Sequence, residues 1–159
     1  MATKEWEILI TQAQLRSKEF TTNASLEIDY NHVVKDMFFL VRSSKTKQKG
    51  EFFNYSGRLT YPPSEFIGSP GFDYKFWTLE PKRHLLHRAR MLFNGVERIE
   101  WRDAKYFYHV QNHDNYQNSL LSYVYVYAFN IDPTRSYSNN GCDFSRLDNA
   151  QLQIESKPQ

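Results

Sequence analysis

The strongest constraint on this chain lies in the stretch from Leu120 to Ile154, LLSYVYVYAFNIDPTRSYSNNGCDFSRLDNAQLQI. Side chains of an extended strand alternate between two faces, so Tyr123, Tyr125, Tyr127 and Phe129 share one face, while Val124, Val126 and Ala128 share the other. Apolar residues on both sides predict a strand buried on both faces. Asp132-Pro133 ends it, because proline offers no amide to a sheet ladder. The polar run Arg135 to Asp143, with Asn139-Asn140-Gly141 at its tip, tolerates positive φ and reads as a long turn. The chain returns through Leu147 to Leu152 and Ile154, which alternate with Gln151, Gln153 and Glu155 as in a half-exposed strand.

The remaining sequence repeats this grammar. Leu26 to Tyr30 alternates cleanly, and Val33 to Val41 is a second apolar run beyond Asn31-His32. Phe72 to Glu80 alternates until Pro81. In the segment after it, Leu86, Arg88, Arg90 and Leu92 fall on one side and Leu85, His87, Ala89, Met91 and Phe93 on the other. Asn94-Gly95 then predicts a type I′ hairpin, a turn that needs positive φ at both positions. Trp6 to Leu15 fits either a strand or a short helix, since Trp6, Leu9, Ile10 and Ala13 also form a helical stripe. About eight extended segments punctuated by Pro, Asn and Gly predict an all-β antiparallel sandwich or barrel. The 16% aromatic content agrees with sheet structure. At 159 residues, one domain over residues 1–159 is expected.

Little in this chain points to catalysis. Five histidines are present, but no His-x-His pair exists. His84 and His87 point to opposite faces of a strand unless a bulge intervenes, and His109 is followed by loop-like residues before His113. His32 reads as a turn histidine. No Gly-x-Ser-x-Gly elbow or phosphate-cradling glycine motif occurs, and Cys142 has no histidine close in sequence. No metal, cofactor or catalytic residue is expected. A net charge of +2 does not call for nucleic acid, and Ser43 to Gly50, SSKTKQKG, reads as a solvated basic linker. A lone cysteine, the start MATKE without an apolar signal core, and the lack of an apolar run of about 20 residues favour a reducing compartment and no transmembrane segment. The sequons at Asn23 and Asn54 are too common a pattern to imply glycans.

Residues 43–71 read as a long loop insertion. Pro62-Pro63, Gly57, Gly68 and Pro70-Gly71 alternate there with Phe52, Phe53, Tyr55, Tyr61 and Phe66. A flexible linker would not carry so many large apolar anchors, so this loop is expected to pack on its own sheet or on a neighbouring subunit.

Several of these stretches resemble the major capsid proteins of nucleocytoplasmic large DNA viruses. Asp143-Phe144-Ser145-Arg146-Leu147-Asp148-Asn149 is similar to that family's NFSRIDN, and the preceding YVYVYAF to its YVYSFAL. Tyr30 to Val41 resembles FNHPVKELIWVVQ, with Val33 in place of proline, and WEILITQAQ resembles EYLIEQVQ, favouring a strand there. Phe93-Asn94-Gly95 resembles LNG, Tyr106-Phe107 a YF pair, and Gln111 a nearby glutamine. The resemblance runs from about Trp6 to Glu155.

The resemblance implies a jelly-roll sandwich of the viral capsid type, similar to the second of two consecutive jelly rolls, without the first one and without the family's last strand. An edge left by that strand would be completed by another chain or segment. It also implies a structural role as a subunit of trimeric capsomers tiling an icosahedral virion shell, assembled in the host cytoplasm, with the virion's inner membrane as a neighbour the shell could approach. Partners would then be other capsid protein chains, as a homotrimer or as the completing segment of the same protein, with no direct nucleic-acid contact. Phe52, Phe53, Tyr55, Tyr61 and Phe66 are the candidate subunit-interface anchors. The alternative is a carbohydrate-binding jelly-roll module, which glycan binding by a monomer would favour.

Overall fold

The computed structural model describes residues 11–60, 62, 67, 69–71, 83–116, 123–134 and 141–157. Within them eight strands form three antiparallel sheets. The largest is a four-stranded sheet in the order β1-β8-β4-β5, built from β1 (Asn23–Glu27), β4 (Leu86–Phe93), β5 (Val96–Asp103) and β8 (Ala150–Ser156). The others pair β2 (Val33–Val34) with β7 (Cys142–Asp143), and β3 (Asp36–Phe39) with β6 (Tyr125–Ala128). The expected Phe72 to Glu80 strand, the tip Asn139-Asn140 and residues 1–10 lie outside the described residues.

Two layers meet over one core. Ala89 and Met91 of β4 and Leu152 of β8 lie under Phe39 of β3 and Tyr125 of β6, all buried in one cluster. Each fully buried side chain of this size contributes about 1.5 to 3 kcal/mol. Strand β8 carries the expected alternation, with Leu152 and Ile154 buried between partly exposed glutamines and Glu155. It is hydrogen-bonded on both sides, to β1 and to β4. Tyr125, Val126 and Tyr127 are all buried, so β6 is covered on both faces as its alternation implied. Its upstream end is shorter than expected: Tyr123 leaves the strand with φ 57°.

The hairpin between β4 and β5 turns at Asn94 (φ 51°) and Gly95 (φ 81°), the two positive values that a type I′ turn requires. The alternation of β4, however, is interrupted. Leu86 pairs with Ser156 and Arg88 with Glu155, leaving His87 as an extra residue on β4. The bulge swings Leu86 to the core side, where it is fully buried alongside Ala89 and Met91, while His87 faces solvent. The expected grouping of Leu86 with Arg88 and Arg90 is therefore incorrect.

Both edges of the large sheet are blunted. Lys18 Nζ donates to the outward carbonyl of Ser25 on β1 at 2.8 Å. The pairing of β5 with β4 shifts register twice, between Ala89 and Met91 and between Met91 and Leu92. Lysines and bulges at sheet edges discourage pairing with stray chains.

A second departure from the sequence reading is helical. The stretch around His109 and His113, expected to run from strand into loop, is part of a helical segment over residues 104–116, in which a π-helical turn (Tyr106–Val110) runs into helix α2 (Gln111–Tyr116). Asp103 Oδ1 accepts the Lys105 amide at 2.9 Å at its start, and Phe107 is buried beneath it against Phe39. The linker over residues 43–50 likewise contains a short helix, α1 (Ser44–Gln48), and the Trp6 to Leu15 strand is absent over its described part, residues 11–15.

Candidate subunit interface

The segment after β3 is built from local hydrogen bonds. Ser43 caps α1, its Oγ accepting the Lys45 amide at 3.3 Å, and buried Thr46 donates its hydroxyl to Ser43 O at 2.8 Å. Gly50, at φ 75°, turns the chain out of the helix, and the Glu51 amide returns to Thr46 O at 2.9 Å. The Glu51 carboxylate then accepts the Thr60 amide at 3.0 Å and Asn54 Nδ2 at 2.6 Å. Asn54 closes the loop, donating also to Arg58 O at 2.7 Å while its Oδ1 accepts from the Ser56 amide and hydroxyl. Both hydrogens of its amide nitrogen are thus engaged, so a glycan at the Asn54 sequon would dismantle the loop.

This scaffold holds two aromatic rings out in water. Phe52 is 58% and Phe53 84% exposed, while Tyr55 is half-buried. Tyr61 and Phe66 lie outside the described residues. The expectation that the loop packs on its own sheet is thus not met by Phe52 and Phe53. Neither does the loop behave as a linker, because its hydrogen bonds fix the rings in place.

Strand β3 adds an apolar face that sequence reasoning left unassigned. In the run Met37-Phe38-Phe39-Leu40-Val41 the odd-numbered residues are buried, whereas Phe38 is 52% and Leu40 44% exposed. A continuous apolar run implies cover on both faces, and among the described residues Phe38 and Leu40 stay about half exposed. Beside Phe38, the Tyr116 ring of α2 lies 6.0 Å away and donates its hydroxyl to Asp36 Oδ2 at 2.5 Å.

The histidines do not converge on a metal. His32 sits in a turn at φ 67°, its amide donating to Ser145 Oγ at 2.7 Å, and His87 is exposed. His84 lies among tyrosines, and His109 and His113, four positions apart, belong to the helical stretch and not to a strand and loop. Among the described residues no three of His, Cys, Asp and Glu gather in ligating geometry. Among the described residues no helix is long and apolar enough to cross a membrane.

The sequence motifs, by contrast, do converge. Val33 and Val34 pair with Asp143 and Cys142, the Phe144 amide donates to His32 O at 3.1 Å, and the Tyr30 and Phe144 rings lie 5.9 Å apart. Asn94 of the hairpin bonds Asn149. The stretches 30–41, 93–95 and 143–149 therefore form one structural knot at the end of the sandwich.

Comparison with known proteins agrees with this architecture. A family model described as "Large eukaryotic DNA virus major capsid protein" matches residues 1–159. The major capsid protein of Phaeocystis pouchetii virus is 35% identical over 66 residues, 42% of this chain and 13% of that protein. The major capsid protein of Paramecium bursaria Chlorella virus 1 is 33% identical over 73 residues, 46% of this chain and 17% of that protein. A chain of the quasi-atomic PBCV-1 virus capsid superimposes with a TM-score of 0.66 at 20% identity, covering 91% of this chain but 36% of that one. That likeness establishes the fold as an all-β antiparallel sandwich of the viral-capsid jelly-roll type. Taken with the match along its whole length, it leads to one conclusion: this chain belongs to the major capsid protein family of large eukaryotic DNA viruses.

Proposed function

We propose that this chain is a structural part of a virion shell, a jelly-roll wall element that assembles with other capsid protein chains into trimeric capsomers tiling an icosahedral capsid. The observation that carries the reading is the match of the capsid family over residues 1–159. It is supported by a stiff two-layer body that presents fixed apolar groups to the outside. The chain corresponds to only about a third of the solved capsid chain. The remainder of such an assembly is a partner in this reading, either a second jelly roll or a completing segment.

Residues 43–71 act as the contact-bearing insertion, with Phe52 and Phe53 as anchors, Tyr55 supporting them, and Tyr61 and Phe66 as further candidate anchors by sequence. Phe38 and Leu40 add a second contact face. Permanent interfaces bury roughly 2,000 Å² or more and draw much of their energy from buried aromatic groups. No catalytic step is required of any residue in this role.

The test is assembly itself. Phe52→Ser and Phe53→Ser together should abolish incorporation into trimers and particles, measured by native mass spectrometry and sedimentation, while the melting temperature of the isolated chain stays within about 2 to 4 °C. A variant that assembles normally would remove these two residues from the interface. Equal loss of folding and assembly would show that they serve the domain and not the shell.

A further inference from the structure

Strand β1 is an outer strand of the large sheet, and its register with β8 fixes which of its groups face outward. Ser156 N–H donates to Thr22 O and Ile28 N–H to Ala150 O, both at 2.8 Å, so the even-numbered residues of β1 face β8. Asn23, Ser25 and Glu27 therefore turn their N–H and C=O groups away from the sheet.

The arm over residues 11–19 lies along that edge and holds it with side chains alone. Gln14 Nε2 donates to Asn31 O at 2.9 Å while its Oε1 accepts the Asn31 N–H at 3.1 Å. This carboxamide makes both bonds that a peptide group of a neighbouring strand would make. Arg16 grips the Asp29 carboxylate through two donors, one of them Nη2 at 2.6 Å, and Lys18 Nζ reaches Ser25 O at 2.8 Å. The contacts fall at every second residue of the arm and run antiparallel to β1. Among the described residues no backbone bond joins the two.

The arm is held weakly. Leu15 is 83% exposed, and Arg16 and Asp29 meet in water, where salt screens an ion pair. The contact of Glu19 with Lys47 is longer still, at 3.9 Å. Phe20, by contrast, packs against the core and fixes the point from which the arm can swing.

Behind the arm, the sequence of β1 complements itself. In an antiparallel pair turned about Ser25, Ser25 opposes Ser25, Asn23 opposes Glu27 and Ala24 opposes Leu26, with no like charges face to face. The three outward residues then occupy the hydrogen-bonded positions of the new ladder.

We propose that β1 is a docking edge for β1 of a second copy of this chain, kept closed by the arm: when the arm swings away about Phe20, the two strands pair about Ser25 and join two large sheets into one. The side chains of Gln14 and Lys18 stand in for the strand that replaces them. This edge is separate from the Phe52 and Phe53 loop, so it stands whether or not the shell reading holds.

The experiment uses the full chain. In sedimentation, Gln14→Ala, Arg16→Ala and Lys18→Ala together should tighten dimerisation at least about tenfold over the unmodified chain, the sum of a few exposed contacts. Adding Ser25→Pro removes an outward N–H at a position where an edge strand admits proline, and should return the triple variant to monomer. Amide exchange supplies a second reading on the triple variant itself: the N–H groups of Asn23, Ser25 and Glu27 should slow as protein concentration rises. A triple variant that stays monomeric, a dimer that survives Ser25→Pro, or β1 amides that exchange equally fast in monomer and dimer would overturn the docking edge. Should the Ser25→Pro chain not fold, the exchange of these three amides decides the matter.

Discussion

Asn94 and Asn149, 55 residues apart, clasp each other: the Asn149 amide donates to Asn94 Oδ1 at 2.9 Å, and the Asn94 amide donates to Asn149 O at 2.6 Å. The same asparagine that permits the β4–β5 turn also ties it to the chain entering β8. Asn94→Gly preserves the positive φ and removes only the side-chain acceptor, so it should cost about 0.5 to 1.5 kcal/mol in chemical denaturation. Asn94→Ala also forces an alanine into φ 51° and should cost roughly 1 to 2 kcal/mol more. If the two variants unfold at the same denaturant concentration, the backbone argument is incorrect.

A steric prediction concerns Gly141. A Cβ at this position would lie 2.6 Å from Val33 Cγ1 and 2.7 Å from Val34 O. The valine side chain can yield, but the carbonyl belongs to the strand paired with β7. Gly141→Ala should therefore destabilise by about 1 to 3 kcal/mol, read as a fall in melting temperature. Adding Val33→Ala should recover only part of the loss, because the clash with the Val34 carbonyl remains.

What was legible in the sequence was whatever depends on neighbours in the chain. The alternation of Leu152 and Ile154 and the Asn94-Gly95 turn are period and turn chemistry, and both took the expected form. The jelly-roll type was legible only through motif resemblance, since alternation alone leaves several sandwiches open. The helix over residues 104–116 was hidden because Tyr106, Phe107 and Tyr108 favour strands, and its one local signal is the capping carboxylate of Asp103. The bulge at His87 was equally invisible, for an added residue leaves the one-dimensional pattern intact while reversing which face Leu86 occupies. At the interface loop the sequence supplied the anchors but not their orientation. Whether Phe53 packs inward or points to water depends on hydrogen bonds among Glu51, Asn54 and Thr60, none of which periodicity records.

Gln111 closes part of the edge of β6. Its Oε1 accepts the Ala128 amide at 3.2 Å, and its Nε2 donates to the Tyr106 hydroxyl at 3.0 Å. Gln111→Leu strands a partly buried amide and should cost about 1 to 3 kcal/mol, with faster hydrogen exchange at Ala128. Gln111→Glu retains the acceptor and can receive the tyrosine proton, so it should lose less. The reverse order would mean that packing and not hydrogen bonding sets the role of this residue.

Cys142 should be a poor nucleophile in the folded chain. Burial pushes its thiol above the ordinary value of 9.0, Asp143 adds to the effect, and Arg98 partly offsets it. Because the thiolate is the reactive form, alkylation near neutral pH should be slow when folded and rapid in denaturant. Equal rates in both states would contradict the assigned environment.

The last prediction is alkaline lability. Burial raises the phenols of Tyr116, Tyr125 and Tyr127 above the ordinary value of 10.0, and at Tyr116 the hydrogen bond to Asp36 raises it further. An acid whose folded value is raised releases its proton first in the unfolded chain, so its contribution is complete below pH 10.0 and declines as pH rises above it. The melting temperature should therefore fall more steeply above pH 10.0 than a chain with freely titrating tyrosines would show. Tyr116→Phe removes one of these titrations together with the bond to Asp36, so it should lower stability at neutral pH yet flatten the alkaline decline. Ultraviolet titration of the folded protein provides the independent check: if every tyrosine ionised near 10.0, the burial argument would fail for this entire group.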